Sequence, residues 1–208
     1  MTSSFDERAP AWDDDPRRRQ LAADLFAALE NQVPLQPGWA ALDYGAGTGL
    51  LALPLAARVR HVLAVDSSAG MLAVLDRKAC AAGLANVTTL RADFTATPPP
   101  PGPFDLVASA MVLHHVADVD LLFRRFFALL VPGGRLALAD LDAEDGSFHG
   151  AHAPGVHHRG FDRAALARQL VRAGFADIRF ADAARSLKNG RAYPLFLATA
   201  RKPAFDRS

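Results

Sequence analysis

The segment Asp43-Tyr44-Gly45-Ala46-Gly47-Thr48-Gly49 decides the fold of this chain. It ends an apolar run from Ala40 to Tyr44 that predicts a β-strand, and it leads into a leucine-rich stretch that predicts a helix. Glycine has no Cβ and tolerates a positive φ, so such a loop lets a ligand approach the backbone closely. The segment therefore predicts a β-α-β sheet with a nucleotide-like ligand at its edge.

An acidic residue stands where that ligand would need one. Asp66 follows the second apolar run, His61 to Val65, 21 positions after Gly45. At this spacing a carboxylate at the end of the neighbouring strand can accept hydrogen bonds from ribose hydroxyls. The loop and the acid together indicate a cofactor that contains a nucleoside.

The position of the third glycine narrows the choice of cofactor. The dinucleotide fingerprint requires glycine at position 50, but Leu50 stands there and the glycine is Gly49. The phosphate loop of nucleotide hydrolases requires a lysine that this segment lacks. The spacing therefore counts against NAD and ATP, although a nicotinamide-dependent oxidoreductase stays an alternative.

The complete pattern Asp-x-Gly-x-Gly-x-Gly resembles that of the class I S-adenosylmethionine-dependent methyltransferases. Other segments resemble later motifs of the family, in the same order. These segments are Val65 to Met71, Arg91 to Phe94, Phe104 to Val107, Met111 to Val116 and Leu130 to Leu136. The resemblance implies an α/β fold, a single Rossmann-like domain with a seven-stranded, mostly parallel sheet, an antiparallel last strand and helices on both faces.

The resemblance also implies a set of residues that bind S-adenosylmethionine. Asp66 would bind the ribose, Met71 would pack on the adenine, and Asp93 would accept from the adenine amino group. The full set comprises Trp12, Asp43, Gly45, Ala46, Gly47, Thr48, Gly49, Asp66, Ser67, Met71, Asp93, Phe94 and Ala110. Trp12-Asp13, with Asp140 to His149 and His157 to Phe161, resembles a subgroup of uncharacterised bacterial small-molecule methyltransferases.

A single domain over residues 1–208 is expected from the length of the chain. Residues 1–14 are predicted to be an irregular N-terminal arm, after which Asp15 caps the first helix. Residues 141–160 are predicted to be a His-rich loop that forms a lid or pocket wall, because their periodicity disappears. A turn at Lys188 to Arg191 predicts a hairpin between the last two strands.

Candidate catalytic residues follow the fourth strand. A sulfonium already activates the methyl group, so the protein must mainly align the acceptor, and a base is useful if the acceptor is a hydroxyl or a protonated amine. His114 and His115 are the candidate bases, and helix capping or packing is the alternative role. The residues predicted to line the substrate pocket are Asp140, Asp142, His149, His152, His157, His158 and Tyr193.

Charge and composition favour a small-molecule partner. The net charge of +1 does not indicate nucleic-acid binding, and the run Arg17-Arg18-Arg19 is predicted to be a solvated face. Ser109-Ala110-Met111-Val112 also differs from the Asp/Asn-Pro-Pro-Tyr signature of base-amino methyltransferases. We do not expect a metal site, because no recognised ligand motif is present.

The sequence contains no apolar run long enough to span a bilayer, and we expect a cytoplasmic protein without a membrane partner. The single cysteine, Cys80, excludes an internal disulfide and is predicted to pack inside a helix. The sequence does not indicate an oligomeric state. A cofactor-binding module without enzymatic activity is the other alternative.

Overall fold

The computed structural model describes residues 4–150, 153 and 155–204. The helices are α1 Ser4–Arg8, α2 Pro16–Gln32, α3 Ala52–Ala56, α4 Ala69–Ala81, α5 Val119–Leu129 and α6 Arg163–Arg172. Short 3-10 helices span Ala9–Asp14 and Leu113–His115. The strands are β1 Ala40–Tyr44, β2 His61–Asp66, β3 Val87–Arg91, β4 Phe104–Ala110, β5 Leu130–Leu141, β6 Ala176–Lys188 and β7 Arg191–Arg201.

The seven strands form one sheet in the order β3-β2-β1-β4-β5-β7-β6. The pairs from β3 to β5 are parallel, whereas β7 is antiparallel to both of its neighbours. The predicted seven-stranded, mostly parallel sheet is therefore confirmed. The chain moves outward from β1 to β3 and then returns to start β4 beside β1, which makes the carboxyl ends of β1 and β4 the topological switch point.

Helices cover both faces of the sheet because the strands are apolar on both sides. Ala41 faces one core with the buried leucines of α2, α3 and α4, while the neighbouring Leu42 faces the other core with those of α5 and α6. This arrangement holds β1 between two packed layers, so the loop after it is anchored on a rigid strand.

Local sequence signals set the ends of several elements. Asp15 caps α2 by accepting from the Arg17 amide at 2.9 Å, and Ser68 caps α4 by accepting from the Met71 amide at 3.1 Å. Asn189 and Gly190 have φ values of 52° and 75°, as a two-residue hairpin turn requires. The predicted cap at Asp15 and the predicted hairpin are both confirmed.

The N-terminal arm is helical and not irregular, so that prediction was wrong. Residues 4–14 form α1 and a 3-10 helix. The Asp6 carboxylate accepts hydrogen bonds from the Ser68 hydroxyl at 2.5 Å and from the Gly70 amide at 2.8 Å. The arm is thus attached to the start of α4 by tertiary contacts, which produce no hydrophobic periodicity in the sequence.

Two further predictions differ from the structure. Cys80 is exposed on the outer face of α4, so it does not pack in the core. Arg18 is half-buried with its guanidinium 4.1 Å above the Trp12 ring, so the arginine run is not wholly solvated. None of the helices in the described ranges combines the length and the apolar run that crossing a bilayer requires.

Candidate active site

A cavity of about 650 Å³ opens at the switch point of the sheet. Its wall is formed by the glycine loop, the N-terminal arm, the ends of β2, β3 and β4, the 3-10 helix after β4, Phe148-His149 and the end of β6. A volume in this range encloses small molecules. The cavity lies at the carboxyl edge of the strands, where open α/β sheets bind their ligands.

The glycine loop lines the cavity with its backbone. Gly45 has a φ of +76°, and a Cβ there would lie 2.2 Å from Cγ2 of Val112. Gly47 has a φ of +54°, but a Cβ there would meet no described atom within 4 Å. Packing therefore excludes a side chain at Gly45, whereas Gly47 presents its backbone to open cavity space.

Asp66 is fixed against this loop at the end of β2. Its Oδ2 accepts from the Gly47 amide and its Oδ1 from the Ser68 amide, each at 2.8 Å. Burial raises the pKa of Asp66, although these amide hydrogen bonds act in the opposite direction. The carboxylate is therefore preorganised on the cavity wall by the same loop that would receive the cofactor.

Asp43 is buried, with 1% of its surface exposed, and its Oδ2 has no hydrogen-bond partner among the described residues. Burial, and then the nearby Asp66 carboxylate, raise the pKa of Asp43 to about 8. An isolated buried carboxylate is costly unless it is paired. This unpaired oxygen on the cavity wall indicates that a cationic or hydrogen-bonding group of the ligand completes the site.

Asp93 follows β3 on the next part of the wall. Its Oδ1 accepts from the Thr95 amide and hydroxyl, each at 2.7 Å, and from the Tyr44 hydroxyl at 3.3 Å. The predicted cofactor residues that line the cavity are Trp12, Asp43, Gly45, Ala46, Gly47, Thr48, Asp66, Ser67, Met71, Asp93 and Ala110. Gly49 is outside the lining, and so is Phe94, whose fully buried ring packs 5.1 Å from that of Tyr44.

The N-terminal arm closes this end of the cavity. The Thr48 hydroxyl donates to Asp13 at 2.6 Å, and the Lys78 ammonium contacts the second oxygen of Asp13 at 2.6 Å. Asp13 thereby ties the arm to the glycine loop, and the neighbouring Trp12 lines the cavity. Sequence reasoning missed Phe5 and Arg8 as lining residues, because an arm thought irregular offered no face on which to place them. It missed Arg18 because the arginine run at the start of α2 was predicted to be solvated.

His114, in the 3-10 helix after β4, and Asp140, near the end of β5, form a buried pair. Nδ1 of His114 lies 2.7 Å from Oδ1 of Asp140, and both residues are at most 1% exposed. The carboxylate also accepts from the backbone amides of His114 and Leu141. These contacts assign the Nδ1 proton to the hydrogen bond with Asp140, which leaves Nε2 of His114 as the basic nitrogen.

Two more histidines pack around His114. The His115 ring lies 4.2 Å away and bonds through Nδ1 to the Gly155 carbonyl, and the His149 ring lies 4.7 Å away. Burial and the charge of His114 lower the pKa of His115, and the same causes lower that of His149 to about 4. Nδ1 of His115 bonds to a carbonyl where that of His114 bonds to a carboxylate, so His114 is better arranged for a base.

Several residues predicted for the substrate pocket lie elsewhere. Asp142 forms two 2.7 Å contacts with the Arg163 guanidinium. Nε2 of His158 bonds to the Val116 carbonyl, and the Tyr193 hydroxyl bonds to that of Ser147. These three side chains and Asp140 are outside the lining, because each has its own partner within the fold; His149 and His157 line the cavity. His152 lies outside the described residues.

The described residues fit S-adenosylmethionine better than a metal ion. Asp66 and Asp93 can hold the adenosine, and the unpaired oxygen of Asp43 can face a cationic group. Within the described ranges, no group of three or more histidine, cysteine or carboxylate side chains is arranged to hold a metal. Sequence reasoning also missed Phe148 and Lys188, whose place on the wall depends on the loop after β5 and the length of β6.

Residues 41–134 match a family model described as a methyltransferase domain. An uncharacterised methyltransferase of Geobacillus kaustophilus is 32% identical over 148 residues, covering 68% of this chain and 64% of that protein. A demethylmenaquinone methyltransferase of Thermus thermophilus is 38% identical over 147 residues, covering 65% of this chain and 63% of that protein. The chain thus spans slightly less than two thirds of either relative.

A solved structure agrees with the fold. Phosphoethanolamine N-methyltransferase 2 of Haemonchus contortus, in complex with S-adenosylmethionine, superposes with a TM-score of 0.73 at 22% identity, covering 86% of this chain and 52% of that chain. The matched residues of the family model run from β1 through the glycine loop to the start of β5. Residues 41–134 therefore form a methyltransferase domain, on a fold that is shared with a solved methyltransferase bound to S-adenosylmethionine.

Proposed function

We propose that the protein transfers a methyl group from S-adenosylmethionine to a hydroxyl or amine of a small molecule, with His114 as general base. The single observation that carries this proposal is the 2.7 Å contact between Nδ1 of His114 and the buried Asp140 carboxylate at the cavity wall. A carboxylate on one ring nitrogen fixes the tautomer and makes the other nitrogen a better proton acceptor.

The role of each residue follows from its position. Asp140 is a positioning residue, since it holds the imidazole and lies outside the cavity lining. Nε2 of His114 takes the proton from the acceptor as its nucleophilic lone pair is used. The cofactor supplies an electrophilic methyl group on a sulfonium. Asp43, Asp66 and Asp93 would hold the cofactor, and the N-terminal arm and Phe148 exclude water from the acceptor.

A small acceptor is favoured by the shape of the cavity. The N-terminal arm and the loop after β5 both contribute to its wall, and its volume of about 650 Å³ suits a small molecule. Two of the similar proteins are named for demethylmenaquinone and for phosphoethanolamine, which are small molecules. The nicotinamide alternative is not favoured by these relatives.

An acceptor screen tests the function directly. We expect the full chain to form S-adenosylhomocysteine from S-adenosylmethionine when incubated with members of a library of phenols, hydroxy acids and amines, and to form none with duplex DNA or RNA. Mass spectrometry of the product would locate the added 14 Da unit. Methylation of nucleic acid with no reaction across the library would contradict the proposal.

Asp66→Ala tests the adenosine end of the site. The loss of charge-assisted hydrogen bonds should weaken S-adenosylmethionine binding by about 1 to 3 kcal/mol. It should weaken 5′-methylthioadenosine equally, because that compound retains the ribose. Calorimetric titration would measure both. Asp118→Ala is the matched control, since Asp118 caps α5 and is not among the lining residues. Unchanged affinity in folded Asp66→Ala would refute the assignment.

A further inference from the structure

The part of the cavity wall around His114, which we call the acceptor end, is formed by a series of aromatic rings. The His149 ring lies 4.7 Å from that of His114 and 4.7 Å from that of Phe148. The Lys188 ammonium lies 5.0 Å from the centre of the Phe148 ring and donates to the Phe148 carbonyl. All four residues line the cavity. The rings of His149 and Phe148 therefore lie between His114 and the Lys188 ammonium.

A second cation stands on the other side of the histidines. The Phe5 ring lies 5.4 Å from that of His115, and the Arg8 guanidinium lies 4.7 Å above the Phe5 ring. The charges of Arg8 and Lys188 each disfavour protonation of the nearer histidine. Two cations therefore flank the histidines, while His115 and His149 themselves are held neutral.

The carboxylates of the described lining belong to other segments of the wall than the histidines. The acidic residues in the described lining are Asp15, Asp43, Asp66 and Asp93. Three of them surround the proposed cofactor site, and Asp15 is occupied by the Arg17 guanidinium at 3.1 Å. Asp140 lies behind His114 and outside the lining. Around the histidines, the described part of the lining therefore carries the Lys188 ammonium and no carboxylate.

His149 carries an unused polar atom in this region. Its Nε2 is buried and has no hydrogen-bond partner among the described residues. The low pKa of about 4 keeps the ring neutral, so one nitrogen carries a proton and the other a lone pair. A buried polar atom without a partner costs about 1 to 3 kcal/mol, which a bound ligand could recover.

We propose that His149 and Lys188 form a subsite for an anionic group, a carboxylate or a phosphate, carried by the methyl acceptor. The proposal rests on the proposed function only in naming the ligand as the acceptor. Lys188 supplies the charge, Nε2–H of His149 donates a hydrogen bond, and the phenyl ring of Phe148 supports the organic part of the ligand. The group would be bound beside His114, with a hydroxyl or amine of the acceptor directed to its Nε2.

Three probes of similar size test the charge preference. Benzoate and phenyl phosphate offer the two candidate anions on a planar ring, and benzamide is the neutral counterpart of benzoate. We expect at least one of the anions to bind the full chain, saturated with S-adenosylhomocysteine, about tenfold more tightly than benzamide in calorimetric titrations. The tighter of the two anions identifies the preferred group.

Substitutions at Lys188 assign the preference to the subsite. Lys188→Gln should remove the preference for anions over benzamide. Lys188→Glu should reverse the charge preference, so that benzylamine binds more tightly than benzoate. Lys202→Gln is a matched control, because the Lys202 ammonium also lies over a phenyl ring, 4.8 Å from the centre of Phe127, and donates to backbone carbonyls outside the cavity. Each variant should bind S-adenosylhomocysteine like the parent.

Equal binding of benzamide and both anions would overturn the subsite, and so would an anion preference that survives in Lys188→Gln. His149→Phe supplies a second measurement, since it keeps an aromatic ring but removes Nε2. The affinity for the anions should fall by up to about tenfold. These titrations measure no methyl transfer. Failure of the subsite would therefore leave the role of His114 intact, and failure of the His114 prediction would leave the subsite intact.

Discussion

His114→Ala should lower kcat for the acceptor by about 10²- to 10⁴-fold, which is the usual contribution of a positioned general base. His114 is the one histidine of the described cavity wall whose ring nitrogen contacts a buried carboxylate. Its loss removes the proton acceptor but leaves the cofactor residues in place. Steady-state kinetics with an acceptor identified in the screen would measure kcat, and calorimetry should show unchanged S-adenosylmethionine affinity.

Substitution of the neighbouring histidine separates a base from a packing residue. His115→Ala should lower kcat by less than about tenfold, because Nδ1 of His115 contacts a carbonyl and not a carboxylate. His158→Ala, outside the cavity lining, is the control. A larger loss in His115→Ala than in His114→Ala would reassign the base to His115.

Asp140→Asn tests orientation of the base without removing it. The amide can present its NH₂ to Nδ1 and stabilise the wrong tautomer, so kcat should fall about 10- to 10³-fold. KM and S-adenosylmethionine affinity should stay unchanged, since Asp140 does not line the cavity. Damage to the fold would alter kcat, KM and S-adenosylmethionine affinity together. Asp140→Glu should recover part of kcat, because it restores a carboxylate.

The cofactor end of the site could be predicted because its signals are local. The glycine loop and Asp66 belong to consecutive strands, and the parallel order of a β-α-β unit brings their ends together. Phe94 shows the limit of this reasoning. It directly follows Asp93, but its side chain points into the core against Tyr44, and the alternation of faces there was not visible from the motif.

The acceptor end depends on contacts between distant segments. His114 and Asp140 are 26 positions apart, and sequence analysis placed them separately, as a candidate base and as a pocket residue. Their pairing requires β4 and β5 to be neighbours with Ala110 beside Ala139. His149 comes from a loop without periodicity, so its position over His114 could not be deduced from spacing. Polar residues such as Asp142 are ambiguous for the same reason, because a partner such as Arg163 can occupy them.

Asp43→Asn should have opposite effects on stability and on cofactor binding. The carboxyl has a pKa of about 8 in the folded chain against an ordinary value of 3.8. A group that holds its proton more tightly when folded contributes stability that is complete below about pH 4 and is lost as the pH rises to about 8. Asparagine cannot ionise and so avoids this loss. At pH 8.5 we expect a gain of about 2 kcal/mol, or a Tm higher by about 4 to 8 °C, without ligand.

The same substitution should weaken S-adenosylmethionine binding about 100-fold, since the cationic groups of the cofactor lie in its methionine part and would lose a buried carboxylate partner. Affinity for 5′-methylthioadenosine, which has neither the ammonium nor the sulfonium, should stay within about twofold. Asp105→Asn is the control, because Asp105 accepts from the Ala40 amide at the far end of β1. Equal weakening for both ligands would place Asp43 against the adenosine. A lower Tm at pH 8.5 would show instead that its carboxylate is satisfied in the ligand-free protein, and the unpaired oxygen could then no longer be explained by a missing cation.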